Sequence, residues 1–160
     1  GVIVGVKDKE ALAKAWDELN GNIAKHAPGL VLDGVLVEAM SSKGVELMIG
    51  ARRDPNWGAV LLIGLGGIWV EALGDVRLLP ADASADWIRS EILKLRTAKL
   101  LTGFRGAPPV DLDAVVDTAL KLGRLMQTHP EITEIDINPL VVHPKGQGAT
   151  ALDALIVTAY

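Results

Sequence analysis

The feature that most restricts the fold of this sequence is a pair of apolar β-type runs separated by a short turn near its end. The first run covers residues 134–142, and the second carries Asp153. Residues 144–147, Pro-Lys-Gly-Gln, have the composition of a turn. If His143 pairs with Gly148 around this turn, the two runs form an antiparallel hairpin. We therefore predict a closing hairpin whose register follows from that pairing.

Three polar side chains interrupt these apolar runs. Asp136 and Asn138 are two residues apart, and in a strand this spacing puts both on the same face. The predicted register places Asn138 opposite Asp153, and such cross-strand partners have Cβ atoms roughly 5 Å apart. An amide oxygen and a carboxylate at that separation can share one Mg²⁺ ion, which takes oxygen ligands, often including phosphate oxygens of a substrate. The hairpin therefore predicts a cation site that needs a phosphate-bearing ligand nearby.

The remainder of the chain mixes strand-like and helix-like segments without a strict alternation. Asp8, Ser84 and Asp111 are typical helix N-caps, and apolar residues recur at helical spacing after each of them. The four tryptophans are expected to pack in the core or against helices. We predict a hairpin between residues 31–40 and 45–51, further strands over 1–6, 59–63 and 76–79, and an apolar run over 68–73. This order indicates an α+β fold, with a mainly antiparallel sheet and helices packed on one face, in a single domain over residues 1–160.

Composition narrows the classes of function. The chain has 160 residues, of which 49% are hydrophobic, and this is enough for a packed core. The net charge of −4 gives no basic field for nucleic acid or for an anionic membrane surface. No uncharged run reaches the length of about 20 apolar residues that a transmembrane helix needs. The lack of cysteine excludes disulfides and thiolate metal sites, and we expect a cytoplasmic protein.

Further candidate groups lie on the predicted strands and loops. Glu38, Glu46 and Glu71 occur in apolar strand-like segments, and each taken alone is explained by a solvated sheet face. Together with the polar residues of the hairpin they would form an acidic groove suited to divalent cations and a nucleotide triphosphate. Residues 64–67, Gly-Leu-Gly-Gly, could cradle phosphate through backbone N–H groups, although on their own a tight turn explains them better. The candidate anion-binding arginines, with a surface position as the alternative, are Arg52, Arg53 and Arg105.

A set of motifs, in order along almost the whole chain, resembles the ATP-grasp domain of the ADP-forming acyl-CoA synthetases. These enzymes are relatives of the succinyl-CoA synthetase β subunit. The resemblance implies an ATP-grasp-like fold, of which this chain supplies a part. The motifs cover residues 37–40, 44–50, 53–58, 64–67, 101–106, 135–140 and 151–154.

The resemblance implies a nucleotide site. Glu38 matches the family's hinge glutamate beside the adenine and ribose, and Ser41 and Glu46 match further nucleotide-contacting positions. Gly66 and Gly67 match a glycine pair that lines the phosphate end. The implied cofactors are ATP or ADP with Mg²⁺, for which Mn²⁺ is an alternative.

The resemblance also implies a division of roles within the hairpin. Asn138 and Asp153 match the family's Mg²⁺ ligands, in agreement with the hairpin geometry. Asp136 matches an acidic residue that, in succinyl-CoA synthetases, helps to place the phosphohistidine loop next to the nucleotide, and it replaces the glutamate of those enzymes. The family reaction is acyl-CoA + ADP + phosphate ⇌ carboxylic acid + CoA + ATP, through an acyl phosphate and a phosphorylated histidine on a separate domain. The implied share of this domain is phosphoryl transfer between that histidine and the nucleotide, with Asp136 as the catalytic residue.

Other parts of such an enzyme are expected outside this chain. The chain starts at Gly1 without a methionine, the family's phosphate-gripping lysine precedes the matched region, and none of the three histidines fits the phosphohistidine motif. We therefore expect the larger, C-terminal part of an ATP-grasp domain, excised from a longer multidomain protein and inactive alone. Its partners would be CoA-binding and phosphohistidine-bearing domains or a subunit of the same enzyme, and the sequence leaves oligomerisation open. The alternatives are a binding or regulatory ATP-grasp module of a protein acyltransferase, and a structural domain whose acidic face is solvated.

Overall fold

The computed structural model of the protein describes residues 1–66 and 74–159. The chain divides into two compact units, Gly1–Met40 and Ser41–Tyr160. The predicted apolar run over 68–73, which includes Glu71, and Gly67 of the glycine-rich segment lie outside the described residues. None of the described helices is both long enough and apolar enough to span a membrane.

The first unit is one helix with irregular flanks. Helix α1 covers Lys9–His26, and Asp8 caps it as predicted, because its carboxylate accepts a hydrogen bond from the Ala11 N–H at 2.7 Å. Leu19 is buried on the predicted apolar stripe, but Trp16 on the same stripe is 51% exposed. Of the two positions expected for the tryptophans, in the core or against helices, the core is wrong for Trp16, Trp57 and Trp87, which are exposed, and Trp69 lies outside the described residues.

Two strands predicted for the first unit do not form. Residues 1–6 and 31–40 join no strand pair among the described residues. Val31 is 86% exposed and Leu36 is 81% exposed, so neither side chain has the packing that a buried strand would give it. An apolar, β-branched composition predicts a strand only where a neighbouring strand supplies backbone partners and side-chain contacts. The expected hairpin between 31–40 and 45–51 is therefore wrong.

The second unit is built on a sheet of six described strands, all paired antiparallel. The order across the sheet is β3-β2-β1-β4, and β5 and β6 pair with different halves of β4. Strand β4 therefore lies between β1 on one side and two short strands on the other. The strands are β1 Val45–Asp54, β2 Gly58–Leu65, β3 Val76–Pro80, β4 Ile132–Val142, β5 Ala149–Ala151 and β6 Ala154–Thr158.

A tight turn explains why β1 pairs with β2. The Asp54 carboxylate accepts hydrogen bonds from the N–H groups of Asn56 at 2.8 Å and Trp57 at 3.0 Å. Gly58 follows with φ +75°, a left-handed conformation that glycine adopts without strain. This local turn brings β2 back along β1 immediately, so β1 finds its partner downstream instead of in residues 31–40.

Helices cover one face of this sheet, as predicted. They are α2 Ala85–Ile92, α3 Ala98–Thr102 and α4 Leu112–Thr128, and α2 and α4 pack on the strands. Ser84 and Asp111 cap α2 and α4 by accepting hydrogen bonds from backbone N–H groups. The core is formed by the α4 stripe and the inward strand residues, among them Val115, Ala119, Met126, Leu47, Ile49, Leu61, Ile63, Ile135 and Ile137. The prediction of a mainly antiparallel sheet with helices on one face is confirmed.

Arg53 joins the end of α4 to the start of β4. Its Nε donates to the Ile132 carbonyl oxygen at 2.8 Å, and its guanidinium also donates to the carbonyls of His129, at 2.9 Å, and Met126. The last carbonyls of a helix have no partners within the helix. Arg53 was a candidate anion-binding residue by its sequence, but its Nε and one terminal nitrogen donate to carbonyls within the fold.

Replacing Arg53 with methionine should destabilise the second unit. We expect Arg53→Met to lower the free energy of unfolding by about 2–4 kcal/mol, because carbonyls at the α4 end lose charged donors. Arg124→Met is the matched control, since Arg124 is exposed on α4 and its side chain has no hydrogen bond or ion pair among the described residues. The control should lose less than about 0.5 kcal/mol. Urea denaturation measures both values, and equal stabilities would contradict this role of Arg53.

Candidate functional site

The closing hairpin has the predicted register. The His143 N–H donates to the Gly148 carbonyl oxygen at 3.0 Å, across the predicted turn. The Asn138 N–H donates to the Asp153 carbonyl oxygen at 3.2 Å. Asn138 and Asp153 are therefore cross-strand partners, which confirms the pairing on which the predicted cation site was based.

A break in the strand ladder places this pair at a junction of three strands. Strand β5 pairs with β4 up to Leu140, and β6 pairs with β4 from Ile137 backwards. Between them lies Pro139, which has no N–H to contribute to a ladder, and its carbonyl accepts from the Leu152 N–H at 3.0 Å. The peptide bond before Pro139 is cis. Asp153 lies in the gap between β5 and β6, beside this break.

The sheet face opposite the helices carries the polar residues, and we call it the polar face. Asp136 and Asn138 are half-buried and alternate along β4 with the buried Ile135 and Ile137, so they point away from the core. The residues that define the polar face are Glu46, Gly50, Glu134, Asp136 and Asn138.

Gly50 leaves the space beside Asp136, and the sequence reasoning did not single it out. It pairs with Asp136 across β1 and β4. A Cβ at Gly50 would lie 2.9 Å from the Ile135 carbonyl oxygen and 3.7 Å from Asp136 Oδ1. Any larger residue would therefore press on the backbone that carries the carboxylate. A glycine inside a strand was the available signal, because such a glycine often marks a close approach.

Negative charge is concentrated around Asp136. Burial raises the pKa of this carboxyl above its ordinary value, and the charges of Glu134 and Asp153 raise the pKa further. The three carboxyl groups therefore interact through the electric field on the polar face, and a bound cation would relieve their repulsion. This supports a cation site, since hard cations take carboxylate and amide oxygens as ligands.

The protein would supply only part of the coordination of such a cation. Among the described residues, no group of three or more histidine, cysteine, aspartate or glutamate side chains is arranged to hold a metal. Asn138 and Asp153 would leave the remaining positions to water and to phosphate oxygens. That division suits Mg²⁺, which keeps several waters and is bound by few carboxylates.

The other predicted nucleotide residues are not part of the closing hairpin. Glu46 is exposed on the polar face at the start of β1, and Ser41 is half-buried just before that strand. Ser41 Oγ donates to the Ser42 carbonyl at 3.2 Å. Glu38 is exposed in an extended segment of the first unit. The structure thus brings Asp136, Asn138 and Asp153 together and keeps the predicted nucleotide-contacting residues near the start of β1 or in the other unit.

The glycine-rich segment is partly a strand. Gly64 belongs to β2, which continues to Leu65, so the predicted tight turn does not start there. The Gly66 N–H donates to the Glu46 carbonyl oxygen at 2.8 Å, and a Cβ on Gly66 would lie 2.9 Å from the Leu47 carbonyl oxygen. Close approach to β1 therefore explains this glycine, and its N–H is already engaged. Gly67 lies outside the described residues.

Arg105 is exposed in the loop between α3 and α4. Its backbone has φ +49°, and its guanidinium carbon lies 5.3 Å from the centre of the Phe104 ring. The surface position that the sequence left as an alternative is the one observed.

The sequence also matches a known protein family. The family described as an ATP-grasp domain matches residues 1–158. The chain therefore belongs to this ATP-grasp domain family.

Its relatives include acid–CoA ligases. Trans-feruloyl-CoA synthase FCS1, from an unknown prokaryotic organism, is 40% identical over 157 residues, which are 98% of this chain and 22% of that protein. The β subunit of ADP-forming acetate–CoA ligase I from Pyrococcus furiosus is 34% identical over 157 residues, which are 98% of this chain and 67% of that subunit. The chain thus spans about a fifth of the length of the first relative and about two thirds of the second.

A solved structure shows the same fold. Acetyl-coenzyme A synthetase 1 of Ca. Korarchaeum cryptofilum matches with a TM-score of 0.84 and 38% identity, over 99% of this chain and 68% of that one. That structure contains coenzyme A and Mg-AMPPCP, and its phosphohistidine segment points towards the nucleotide-binding site.

The raised pKa of Asp136 leads to a pH-dependent prediction. The folded state binds this proton more tightly than the unfolded chain does, so ionised Asp136 lowers the free energy of unfolding at neutral pH. Without divalent cations, Asp136→Asn should melt at a higher temperature than the wild type at pH 7. The difference should shrink as the pH falls towards the ordinary pKa of aspartate, because the wild-type carboxyl then becomes protonated.

Thermal denaturation from pH 7 down to about pH 4 measures this difference. Asp117→Asn is the control, because Asp117 is paired with Lys121 on α4, and it should give no increase in melting temperature. Identical melting curves for the wild type and Asp136→Asn at every pH would show that the charges on the polar face do not oppose folding.

Proposed function

We propose that this chain is the nucleotide- and magnesium-binding part of an ADP-forming acid–CoA ligase. In this proposal it transfers a phosphoryl group between the nucleotide and a histidine on another domain or subunit. The single observation that carries the proposal is the three-strand junction, where Asn138 faces Asp153 beside Asp136 on the polar face. The relatives support it, because they are acid–CoA ligases and one was solved with a magnesium nucleotide.

The cation would be held by the Asn138 amide oxygen and the Asp153 carboxylate. Asp136 lies close enough to Asp153 for their charges to interact, so the junction already favours a positive charge. A bound Mg²⁺ ion would neutralise part of the negative charge of the phosphates, and Mn²⁺ could take its place.

The nucleotide would lie along the start of β1. Glu46 and Ser41 flank this start, and their side chains offer the acceptors and donors that ribose and base groups require. Gly66 and Gly67 keep the role that the resemblance implies, at the phosphate end of the nucleotide.

Asp136 would orient the incoming histidine. A carboxylate accepts a hydrogen bond from an imidazole N–H, and it stabilises the ring in one orientation. In the direction of ATP synthesis, the N–P bond of the phosphohistidine breaks as an O–P bond to ADP forms. Such transfer depends mainly on alignment of the donor and acceptor. The CoA-binding and phosphohistidine-bearing parts, and a cytoplasmic location, belong to the same proposal.

The metal role predicts a loss of nucleotide affinity. In the protein at its natural full length, Asp153→Asn should weaken Mg-ADP binding by about tenfold to 100-fold, the size expected for loss of one charged contact. Asp117→Asn, on the helical side of the unit, should bind as the wild type does. Calorimetry with Mg²⁺ and with EDTA measures both variants. Unchanged affinity in Asp153→Asn would exclude this residue as a ligand.

The role of Asp136 predicts a loss of rate. Asp136→Ala should slow phosphoryl transfer from the histidine to ADP on the order of 100-fold, because the reacting groups lose alignment. Its affinity for Mg-ADP should fall far less. Single-turnover transfer of labelled phosphate and the acyl-CoA assay measure the rate, and an unchanged rate would remove Asp136 from the mechanism.

The same assays distinguish the acid–CoA ligase from the alternative, a binding or regulatory module of a protein acyltransferase. A full-length wild-type protein that binds Mg-ADP but forms no acyl-CoA from a panel of carboxylic acids would favour the binding or regulatory module of an acyltransferase. A protein that binds no magnesium nucleotide would contradict both.

A further inference from the structure

A histidine that the proposed function does not use is built into the second unit. His143 follows β4 directly and is only 7% exposed. Its Nδ1 is hydrogen-bonded to Ser42 Oγ at 3.2 Å, and its Nε2 is hydrogen-bonded to Thr150 Oγ1 at 2.9 Å. Both ring nitrogens are therefore satisfied. The ring connects β5 with the short segment that leads into β1.

The backbone of His143 is held firmly. Its N–H and carbonyl are both used, the first by the Gly148 carbonyl and the second by the Asp111 N–H at 2.8 Å. The Asp111 carboxylate accepts from the Gly148 N–H at 2.8 Å and also caps α4. This bond from Gly148 is the largest of the influences that lower the pKa of Asp111. The ring of His143 is thus a fixed point relative to α4 and the hairpin turn.

The segment before β1 is packed against the same end of β4. Val45 pairs with Val142 in the sheet. A Cβ on Gly44 would lie 2.4 Å from the Val142 carbonyl oxygen, so the segment touches the β4 backbone at this point. Upstream of that contact, the hydrogen bond between Ser42 and His143 links the segment to the hairpin through side chains.

A chain of contacts continues from His143 to Ser41. The Ser42 hydroxyl is bonded to the histidine ring, and the Ser42 carbonyl accepts from Ser41 Oγ at 3.2 Å. Ser42 therefore connects the buried His143 ring, through its hydroxyl, with the half-buried Ser41 hydroxyl, through its carbonyl. Fixing Ser42 fixes the acceptor that orients the Ser41 side chain.

We propose that His143 is a positioning residue for nucleotide binding, and that it acts through Ser42 to hold Ser41 in the geometry that receives the nucleotide. The inference rests on the proposed function, in which Ser41 contacts the nucleotide. A segment that is ordered before binding does not lose that conformational freedom when the ligand arrives. Loss of the Ser42 bond therefore weakens affinity, although His143 itself does not touch the nucleotide.

Two substitutions of His143 separate its two hydrogen bonds. An asparagine amide reaches the position of Nδ1, and a glutamine amide reaches the position of Nε2, because the number of bonds from Cβ is the same in each case. His143→Asn retains the link to Ser42, whereas His143→Gln retains the link to Thr150. We expect His143→Gln and Ser42→Ala to raise the Kd for Mg-ADP by about threefold to tenfold, the size of one hydrogen bond.

His143→Asn should recover most of the affinity that His143→Gln loses, even where both variants melt at the same lowered temperature. The double variant Ser42→Ala with His143→Gln should bind no more weakly than either single variant, because both remove the same bond. Thr118→Val is the control for loss of a half-buried hydroxyl, since Thr118 Oγ1 donates within α4 to the Ala114 carbonyl at 2.8 Å. It should bind Mg-ADP as the wild type does.

Calorimetry on the protein at its natural full length, with melting temperatures of every variant, provides the test. Wild-type affinity in Ser42→Ala, or equal affinity losses in His143→Asn and His143→Gln, would overturn the inference and leave the proposed function intact. Failure of the wild type itself to bind Mg-ADP would overturn both. Losses in all variants that merely follow their melting temperatures would assign His143 a structural role only.

Discussion

The rest of the second unit depends on the pairing of β4 with its neighbours. This strand buries Ile135 and Ile137 under α4, and the same alternation turns Asp136 and Asn138 to the polar face. A slip of one residue would place the polar side chains in the core and the isoleucines in solvent. The hydrophobic pattern that stabilises the sheet therefore also determines which groups form the site. Pro139 then interrupts the ladder on the outer side, which is where two short strands meet and where the partner of Asn138 lies.

Predictions from the sequence succeeded where a single local signal decided the structure. Asp111 and Ser84 cap helices because their side chains bind N–H groups three residues ahead, and the closing hairpin follows from a turn of four residues. Residues 31–40 failed for the opposite reason. Their composition favours a strand, but a strand also needs a partner, and β1 had already found one through the turn after Asp54. Arg53 shows the same limit, since its acceptors lie 73 to 79 residues further along the chain.

The candidate site, like the fold, was predictable where local sequence patterns decided it. Two polar residues in an apolar run, opposite a third, were enough to predict the cross-strand pair of Asn138 and Asp153, and the resemblance added a nucleotide to it. Contacts made by backbone geometry were not predictable. The engagement of the Gly66 N–H with β1 and the space that Gly50 leaves beside Asp136 depend on how closely two strands approach. The hydrogen bond between Ser42 and His143 joins residues 101 positions apart. From the sequence His143 is only a turn residue, and its contact with Ser42 is visible only in the folded chain.

The charges of the polar face connect stability with binding. Burial and two neighbouring carboxylates raise the pKa of Asp136, so the ionised site opposes folding while no cation is present. A cation that binds the folded site and has no comparable site in the unfolded chain stabilises the fold in proportion to its affinity and concentration. A bound cation therefore offsets the repulsion among the carboxylates of Asp136, Glu134 and Asp153, and the folded protein can keep all three. A natural protein often accepts such a local loss of stability where a group is needed for function. On this view the half-buried position of Asp136 is consistent with its proposed role, because the charges of a fully solvated carboxylate and its neighbours would interact more weakly.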